Sequence, residues 1–406
     1  MRKLFPFTIC LLISLSVAGC FSYRDGDEEI FDIESITVYE SSEKPGHNAW
    51  PCSFIDKKGN LCVVFQQIRG QLQDKPSYDF RKKSDKYDIR LICMRAAGGS
   101  SKFEILWKKN LNAAHGFFMP APEPAPNGMM LGMCRPMLNK DFAKYPAESI
   151  VIVQSDDCWQ NMKFYSIISM PGTVLIPNDI KFIGNRLYIA AYDGKGGAYL
   201  FYSEDNGLSW SNPLEIIKAH DNMSFHEPTF CELSSGDLAV VLRTHRMDIP
   251  KHNGINYHKV IIRKDLDGKL SIPAEENSSV SNYIFDKNGT IHPSPVTDTG
   301  FGFRGRPYLY GDGKGLVILV APGNFFAFSR NDGKTWYSGM LDFNIRKVSI
   351  TDKYGKKPYN WNAETTLRRL PDGRFYYSYF IGSDFPFPAP CDMYIGGTFF
   401  KIRENN

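Results

Sequence analysis

Ser203-Glu204-Asp205-Asn206-Gly207-Leu208-Ser209-Trp210 and Ser329-Arg330-Asn331-Asp332-Gly333-Lys334-Thr335-Trp336 are variants of one pattern, Ser-x-Asp/Asn-x-Gly-x-Ser/Thr-Trp. Each follows an aromatic-rich strand pattern, Ala198 to Tyr202 and Phe325 to Phe328. The pattern has a physical logic. The Asp or Asn side chain can accept from backbone N–H groups of its own turn. The Gly takes a positive φ that other residues resist. The Trp can fold back over the hairpin. A repeated hairpin unit implies a repeat fold.

Working outward from these turns, helical periodicity is scarce. Short β-rich runs alternate with Gly, Asn, Asp and Pro turns, and aromatics are 14% of residues, an all-β composition. A unit recurs: a strand, a Gly turn, a very apolar second strand, a loop, a third strand, then the box or a remnant of it. Six units open at Pro51, Met119, Asp179, Glu227, Arg306 and Glu364 and turn at Gly59, Gly128, Gly184, Gly236, Gly313 and Gly373. The second ends in a degenerate copy, Ser155-Asp156-Asp157-Cys158-Trp159. Four-stranded units that cannot bury both faces alone stack radially, which predicts a six-bladed β-propeller of four-stranded antiparallel blades over residues 33–406. Ile33–Tyr39 is a further strand that can close the ring beside the last unit.

The first twenty residues stand apart from the fold. Arg2 and Lys3 precede an apolar run, Leu4 to Val17, and Val17-Ala18-Gly19-Cys20 matches a bacterial lipobox. The expectation is a signal peptide over 1–19, cleavage before Cys20, lipidation of that thiol, and an acidic tether over 20–32 (Asp25, Asp27, Glu28, Glu29, Asp32). The membrane partner is then the lipid anchor alone, at the outer membrane or cell surface. Without Arg2 and Lys3 the formal charge falls from +4 to +2, and no long basic run occurs, so nucleic acid is not an expected partner. Seven cysteines remain after Cys20: Cys52, Cys62, Cys93, Cys134, Cys158, Cys231 and Cys391. Their spacings fit no zinc motif, and most lie in apolar strand patterns as small buried hydrophobes. Cys52 and Cys62 flank the turn at Lys57–Gly59 and are expected to face each other across it. No P-loop, dinucleotide fingerprint or metal motif is present, so no cofactor is expected.

Propeller geometry brings sequence-distant residues to one channel mouth. First-strand entrances carry Trp50, Pro120, Asp179, Glu227, Arg306 and Glu364; second-strand exits carry Arg69, Arg135, Asp193, Arg243 with His245, Asn324 and Asp384. Carboxylates among arginines at converging positions are costly as core, since unpaired burial is penalised. They read as a site, with structural ion pairs between blades as the alternative. Trp50, Phe117, Phe118, Trp361, Phe385 and Phe387 are candidate rim platforms for stacking on a sugar, or packing aromatics.

The stretch His226-Glu227-Pro228 … Glu232-Leu233 … Gly236 … Arg243 resembles the Glu-Pro…Glu-Leu…Gly…Arg segment of sialidases, a family of six-bladed propellers with Asp boxes. The resemblance implies that Glu227 is the carboxylate acting as base on the nucleophile and that Arg243 and Arg306 belong to an arginine clamp, with Arg304 a competitor for the second place. Two departures stand out. The family's first clamp arginine lies in an Arg-Ile-Pro segment; here the place reads Ala49-Trp50-Pro51, with Arg69 a substitute from the adjacent loop. The family's nucleophilic tyrosine opens the last blade eight residues before the Asp-Gly turn; counting back from Asp372 gives Glu364, with Tyr359 nearby but off register. The general acid falls among Asp74, Asp79, Asp85 and Asp88.

The departures share a direction. A carboxylate nucleophile would be repelled by the anomeric carboxylate of sialic acid. Glu364 for Tyr, with a clamp arginine lost, therefore fits another sugar, and Glu227 and Glu364 become a carboxylate pair for glycoside cleavage. The leading expectation is an exported, monomeric, exo-acting glycoside hydrolase on an oligosaccharide or glycoconjugate. Glu227, Glu364, Tyr359 and Asp88 are its catalytic candidates, and Arg243, Arg306, Arg69, Arg135, Asp179 and Trp50 its substrate-binding ones. A true exo-α-sialidase using Tyr359 and Arg69, and a non-catalytic glycan-binding lipoprotein, are the alternatives. A lyase reaction on a uronate, using His115, His226 and Tyr359, is a weaker fourth.

Overall fold

In the computed structural model, the described residues are 30–41, 47–69, 88–110, 123–135, 144–146, 148–155, 158–219, 222–246, 255–273, 306–321, 325–334, 336–340, 348–352, 355–359, 362–381 and 394–403. Among them there is no helix. Strand β1 (Ile30–Glu40) precedes the first blade, which is β2 (His47–Ile55), β3 (Leu61–Arg69), β4 (Asp88–Ala96) and β5 (Phe103–Asn110). Blade 2 is β6 (Glu123–Pro124), β7 (Met130–Cys134), β8 (Ile150–Ser155) and β9 (Lys163–Ile168). Blade 3 is β10 (Leu175–Ile183), β11 (Arg186–Asp193), β12 (Ala198–Ser203) and β13 (Leu214–Ile217). Blade 4 is β14 (Met223–Glu232), β15 (Leu238–Arg246), β16 (Ile255–Lys264) and β17 (Leu270–Ser271). Blade 5 is β18 (Tyr308–Gly311), β19 (Val317–Ala321), β20 (Phe325–Ser329) and β21 (Tyr337–Met340). A separate hairpin, β22 (Val348–Asp352) and β23 (Gly355–Tyr359), leads to blade 6: β24 (Asn362–Arg369), β25 (Phe375–Ile381) and β26 (Tyr394–Ile402).

The molecule is a six-bladed β-propeller, and β1 closes it. This strand pairs antiparallel with β26, so the N-terminal segment supplies the fourth strand of the last blade, as the Ile33–Tyr39 pattern predicts. The six first-hairpin glycines, Gly59, Gly128, Gly184, Gly236, Gly313 and Gly373, all take positive φ, from +59° to +85°. That shared requirement is why a glycine recurs at each turn. Six apolar clusters fill the seams. The seam of blades 6 and 1 packs Phe65 and Ile92 against Tyr376 and Phe399, and that of blades 3 and 4 packs Tyr188 and Leu200 against Phe230 and Leu242. Each blade is buried on both faces, so no blade is stable alone.

One expectation fails in register. The Lys57–Gly59 loop is centred on Lys58, so Cys62 pairs with Phe54 and Cys52 with Val64. The two thiols do not face each other across the hairpin, and no disulfide joins the six cysteines among the described residues. Blade 2 was expected to open at Met119, which lies outside the described residues. Its described first strand, Glu123–Pro124, starts where the described residues resume.

Candidate functional site

The innermost strands share an irregularity at one end. Register shifts fall between Ala49 and Cys52, Pro177 and Asp179, His226 and Thr229, and Ala363 and Thr366. These β-bulges hold Trp50, Asn178, Glu227 and Glu364 at equivalent places, and Arg306-Pro307 immediately precedes β18 as Glu227-Pro228 precedes Thr229. Trp50 and Glu227 take left-handed φ, +57° and +50°. A bulge re-aims a side chain and ends regular pairing. Non-glycine residues hold positive φ only where their surroundings fix it.

Glu227 is held by Arg243. Arg243 Nη2 donates to Glu227 Oε1 at 2.8 Å, and Nε lies 2.8 Å from Oε2, a fork with both side chains largely buried. The hairpin explains the pairing, because Arg243 lies opposite His226 in the β14–β15 register. Beside this fork, His226 Nε2 is 2.9 Å from Ser224 Oγ, and its ring meets Tyr192 and His245 edge-on at 5.2 and 5.0 Å. Burial, and then the Arg243 cation, lower the His226 pKa to about 4, so the ring is neutral near pH 7.

Arg306 is 3% exposed and donates from Nη2 to the Asn178 carbonyl oxygen. Asn178 Nδ2 in turn donates to the Pro228 carbonyl at 2.8 Å. The entrances of blades 3, 4 and 5 are thus tied together, and Arg306 Nε has no acceptor among the described residues. A buried guanidinium donor in that state is open to a ligand or water.

Two expected ligand-binding residues are occupied elsewhere. Asp179 is 1% exposed and belongs to the axis below the mouth. It pairs with Lys181, accepts from Thr229 Oγ1 at 2.7 Å and lies 3.3 Å from the Phe230 amide. Lys181 Nζ also donates to the Phe230 and Leu309 carbonyls at 2.6 and 2.9 Å. Arg368 extends the network, donating to the Ser53 carbonyl at 2.8 Å and Tyr308 Oη at 2.6 Å, and lying 3.6 Å from Glu123. Asn178, not Asp179, holds the entrance of blade 3. Trp50 is 8% exposed and packs with Val38, Phe65 and Tyr376 in the blade 6–1 seam, so its ring serves packing rather than the rim.

Arg135 follows β7 and is half-buried. The side chains of Glu364, Tyr359, Asp88 and Arg69 lie outside the described residues, although their backbones sit in β24, β23, β4 and β3. Cys20, Phe117, Phe118, Trp361, Phe385 and Phe387 also lie outside them. Tyr192 and Asn178 are the site neighbours that residue type alone did not bring forward. The bulge positions identify Asn178 once the blades are aligned on Glu227.

No protein-family model and no curated protein matches the sequence. Solved structures do match its fold. An α-L-arabinanase from Penicillium chrysogenum, complexed with arabinobiose, is 13% identical, with 89% of this chain and 97% of that one covered and a TM-score of 0.53. An α-L-arabinofuranosidase from Fusarium graminearum, with an iminosugar inhibitor, is 12% identical over 91% and 97%, at a TM-score of 0.54. The intramolecular trans-sialidase from Ruminococcus gnavus, with oseltamivir carboxylate, is 12% identical over 90% and 97%, also at 0.54. The chain therefore shares the six-bladed propeller fold of these enzymes, at identities that speak to fold alone.

Proposed function

We infer that the protein is a glycoside hydrolase that cleaves a terminal sugar at the channel mouth. The observation that carries this reading is the Glu227–Arg243 fork on a bulged, left-handed stretch of innermost strand. Glu364, at the matching bulge of blade 6, is the second carboxylate. In this reading one of the two serves as acid and the other as base or nucleophile, and their separation decides retention or inversion. Arg306 supplies a guanidinium to the sugar through its unfilled Nε.

The sugar in this reading lacks the anomeric carboxylate of sialic acid, because glutamate at position 364 would repel it. Fold neighbours that take arabinobiose and an iminosugar are compatible with a neutral sugar. The alternative sialidase reading would need the Tyr359 hydroxyl and Arg69 in the site. The protein reaches its substrate as a lipoprotein anchored through Cys20. Fatty-acid labelling of the expressed protein, abolished in Cys20→Ser, is the expected result.

The test is hydrolysis of a panel of arabinosides, sialosides and uronate-containing oligosaccharides by the wild-type protein, Glu227→Gln and Glu364→Gln. Loss of about two to four orders of magnitude in both variants is expected, the range typical of acid–base groups. Full activity in both would remove the two glutamates from the chemistry.

A further inference from the structure

The repeated turn has a third copy, in blade 2, and it differs where it matters. Cys158 and Trp159 stand where blade 3 has Asn206 and Gly207 and blade 5 has Asp332 and Gly333. The backbone is nevertheless the same: φ is +54° and +70° in blade 2, +59° and +90° in blade 3, and +60° and +73° in blade 5. Asn, Asp and Gly tolerate that region, whereas cysteine and tryptophan do so at a cost of about 1 kcal/mol or more each. Trp159 is completely buried in the blade 1–2 seam, and Trp107 Nε1 donates to the Cys158 carbonyl at 3.0 Å. Both contacts hold the strained turn in place.

Blade 5 shows what the Cys158 position does. Asp332 accepts from Ser234 N at 2.8 Å and from Ser234 Oγ, so the turn clips onto the first hairpin of the preceding blade. Cys158 reaches the corresponding hairpin of blade 1. Its Sγ lies 3.9 Å from Asp56 Oδ2, and one ligand atom from each of Asp56, Cys62 and Cys158 falls within 4.8 Å of the others. Cys93 is the diagonal neighbour of Cys62, since Val64 pairs with Cys93 and Cys62 with Arg95, and its thiol donates to the Met94 carbonyl at 3.8 Å. The Asp56 carboxylate is fixed by its own turn. Oδ1 accepts from the Lys58 and Asn60 amides, and Oδ2 from Asn60 Nδ2, all at 2.8 Å.

We propose that Asp56, Cys62 and Cys158 form an interblade site for a thiophilic d10 divalent cation, with zinc the fitting ion. Tetrahedral zinc with Zn–S bonds of about 2.3 Å sets its ligand atoms roughly 3.5–4 Å apart, a small contraction of the cluster. Three protein donors leave the fourth position of a tetrahedron to a water, and the place of the site in a seam between blades gives it a structural role. It lies at the opposite end of β2 from Trp50, away from the mouth, and replaces the Asp332-type hydrogen bond by metal coordination. The Asn60 and backbone donors to Asp56 supply the outer shell that orients a ligating carboxylate. Arg95 lies close enough to both Cys62 and Cys158 to offset the excess negative charge of the ligand set. Thiols give up their protons on binding a metal, so uptake releases protons and tightens with pH.

The test uses the mature full-length protein, stripped with chelator under reducing conditions and titrated with Zn²⁺ alone. One zinc per chain is expected, with proton release and a melting temperature raised by several degrees at saturation. Cys158→Asn restores the residue type of the blade 3 turn, so it is expected to fold and to lose zinc. Asp56→Asn keeps an acceptor for the turn and weakens zinc about tenfold or more. Cys231→Ala, in the blade 4–5 seam, binds zinc as the wild type does. Substoichiometric zinc in the wild type, or equal zinc in Cys158→Asn, would overturn the proposal. So would a Cys62–Cys158 disulfide that persists in the purified protein, seen as an intact mass two daltons light.

Discussion

Glu227 owes its position to three neighbours in the chain: His226 before it, Pro228 after it, and Arg243 across the hairpin. Arg243→Met leaves the half-buried carboxylate unpaired and is expected to cost about 2 kcal/mol of stability, together with most of any glycosidase activity, by urea melts and rate assays on the same samples. His226 makes a pH prediction. Its folded pKa of about 4 lies below the unfolded value near 6.5, so the unfolded chain binds the proton more readily between those values. Stability is therefore complete above about pH 6.5 and falls as pH drops toward 4. His226→Gln should flatten the dependence of melting temperature on pH in that window, and an unchanged slope would assign it to other groups. Glu227 and Arg243 stood out in the sequence because the motif and the strand-entrance and strand-exit positions named the same two residues; their pairing in a fork is what the hairpin register adds. Asp179 misled because its role depends on Lys181, which shares its face of β10 and takes the carboxylate into the axis. Trp50 misled because its left-handed φ accompanies a ring buried in a seam that no local pattern reveals.

At the scale of the element, turn chemistry carried most of the information. In the blade 3 turn, Ser203 Oγ accepts from Gly207 N and donates to Asp205 Oδ1, both at 2.7 Å, and Asp205 Oδ1 accepts from Ser209 N at 2.9 Å. In blade 5, Ser329 repeats the first two bonds at 2.8 and 2.9 Å. Trp210 reaches over to Ser166 Oγ at 3.1 Å, whereas Trp336 folds back on the Gly333 carbonyl at 2.9 Å. Such signatures are local, so they are visible in sequence. Bulges are less so, because they appear only when two strands are aligned; Pro after Trp50, Glu227 and Arg306 is the one trace they leave. Two glycine substitutions separate local strain from packing. Gly59→Ala meets nothing within 4 Å and pays only for φ of +79°, about 1 kcal/mol. Gly311→Ala has no φ strain, but its Cβ would stand 2.6 Å from the Glu232 backbone oxygen across the blade 4–5 seam. Chemical denaturation should find it the worse by about 1–2 kcal/mol, as overpacking costs. Equal losses would contradict the seam geometry.

For the whole molecule, the ring is held by six apolar seams, one closing strand and a charged axis. Truncation through Ser41 removes β1, exposes the β26 edge and opens the blade 6 seams. It should abolish cooperative melting, while truncation through Glu29 should leave it intact. On the axis, Lys181 binds groups of blades 3, 4 and 5, and Arg368 connects blades 6, 1 and 5 and stands beside Glu123 of blade 2. Burial lowers the Lys181 pKa, opposed chiefly by Asp179, and raises that of Glu123, opposed chiefly by Arg368. Lys181→Met strands Asp179 and is expected to cost about 3–5 kcal/mol, readable as a fall in the urea midpoint; the double variant with Asp179→Leu should recover much of it. Blade count was legible in the sequence because six glycine turns share one requirement. The axis was not, because its partners lie on different blades and converge only once the ring is closed. The same convergence is the central claim for the mouth: Glu227 and Glu364, on blades 4 and 6, face one bound sugar. The most direct measurement is the distance between their carboxylates in a crystal of the mature protein. About 5–10 Å is predicted, the range that serves glycoside cleavage. A separation well beyond it, or a Glu364 side chain turned into a blade seam, would contradict the claim.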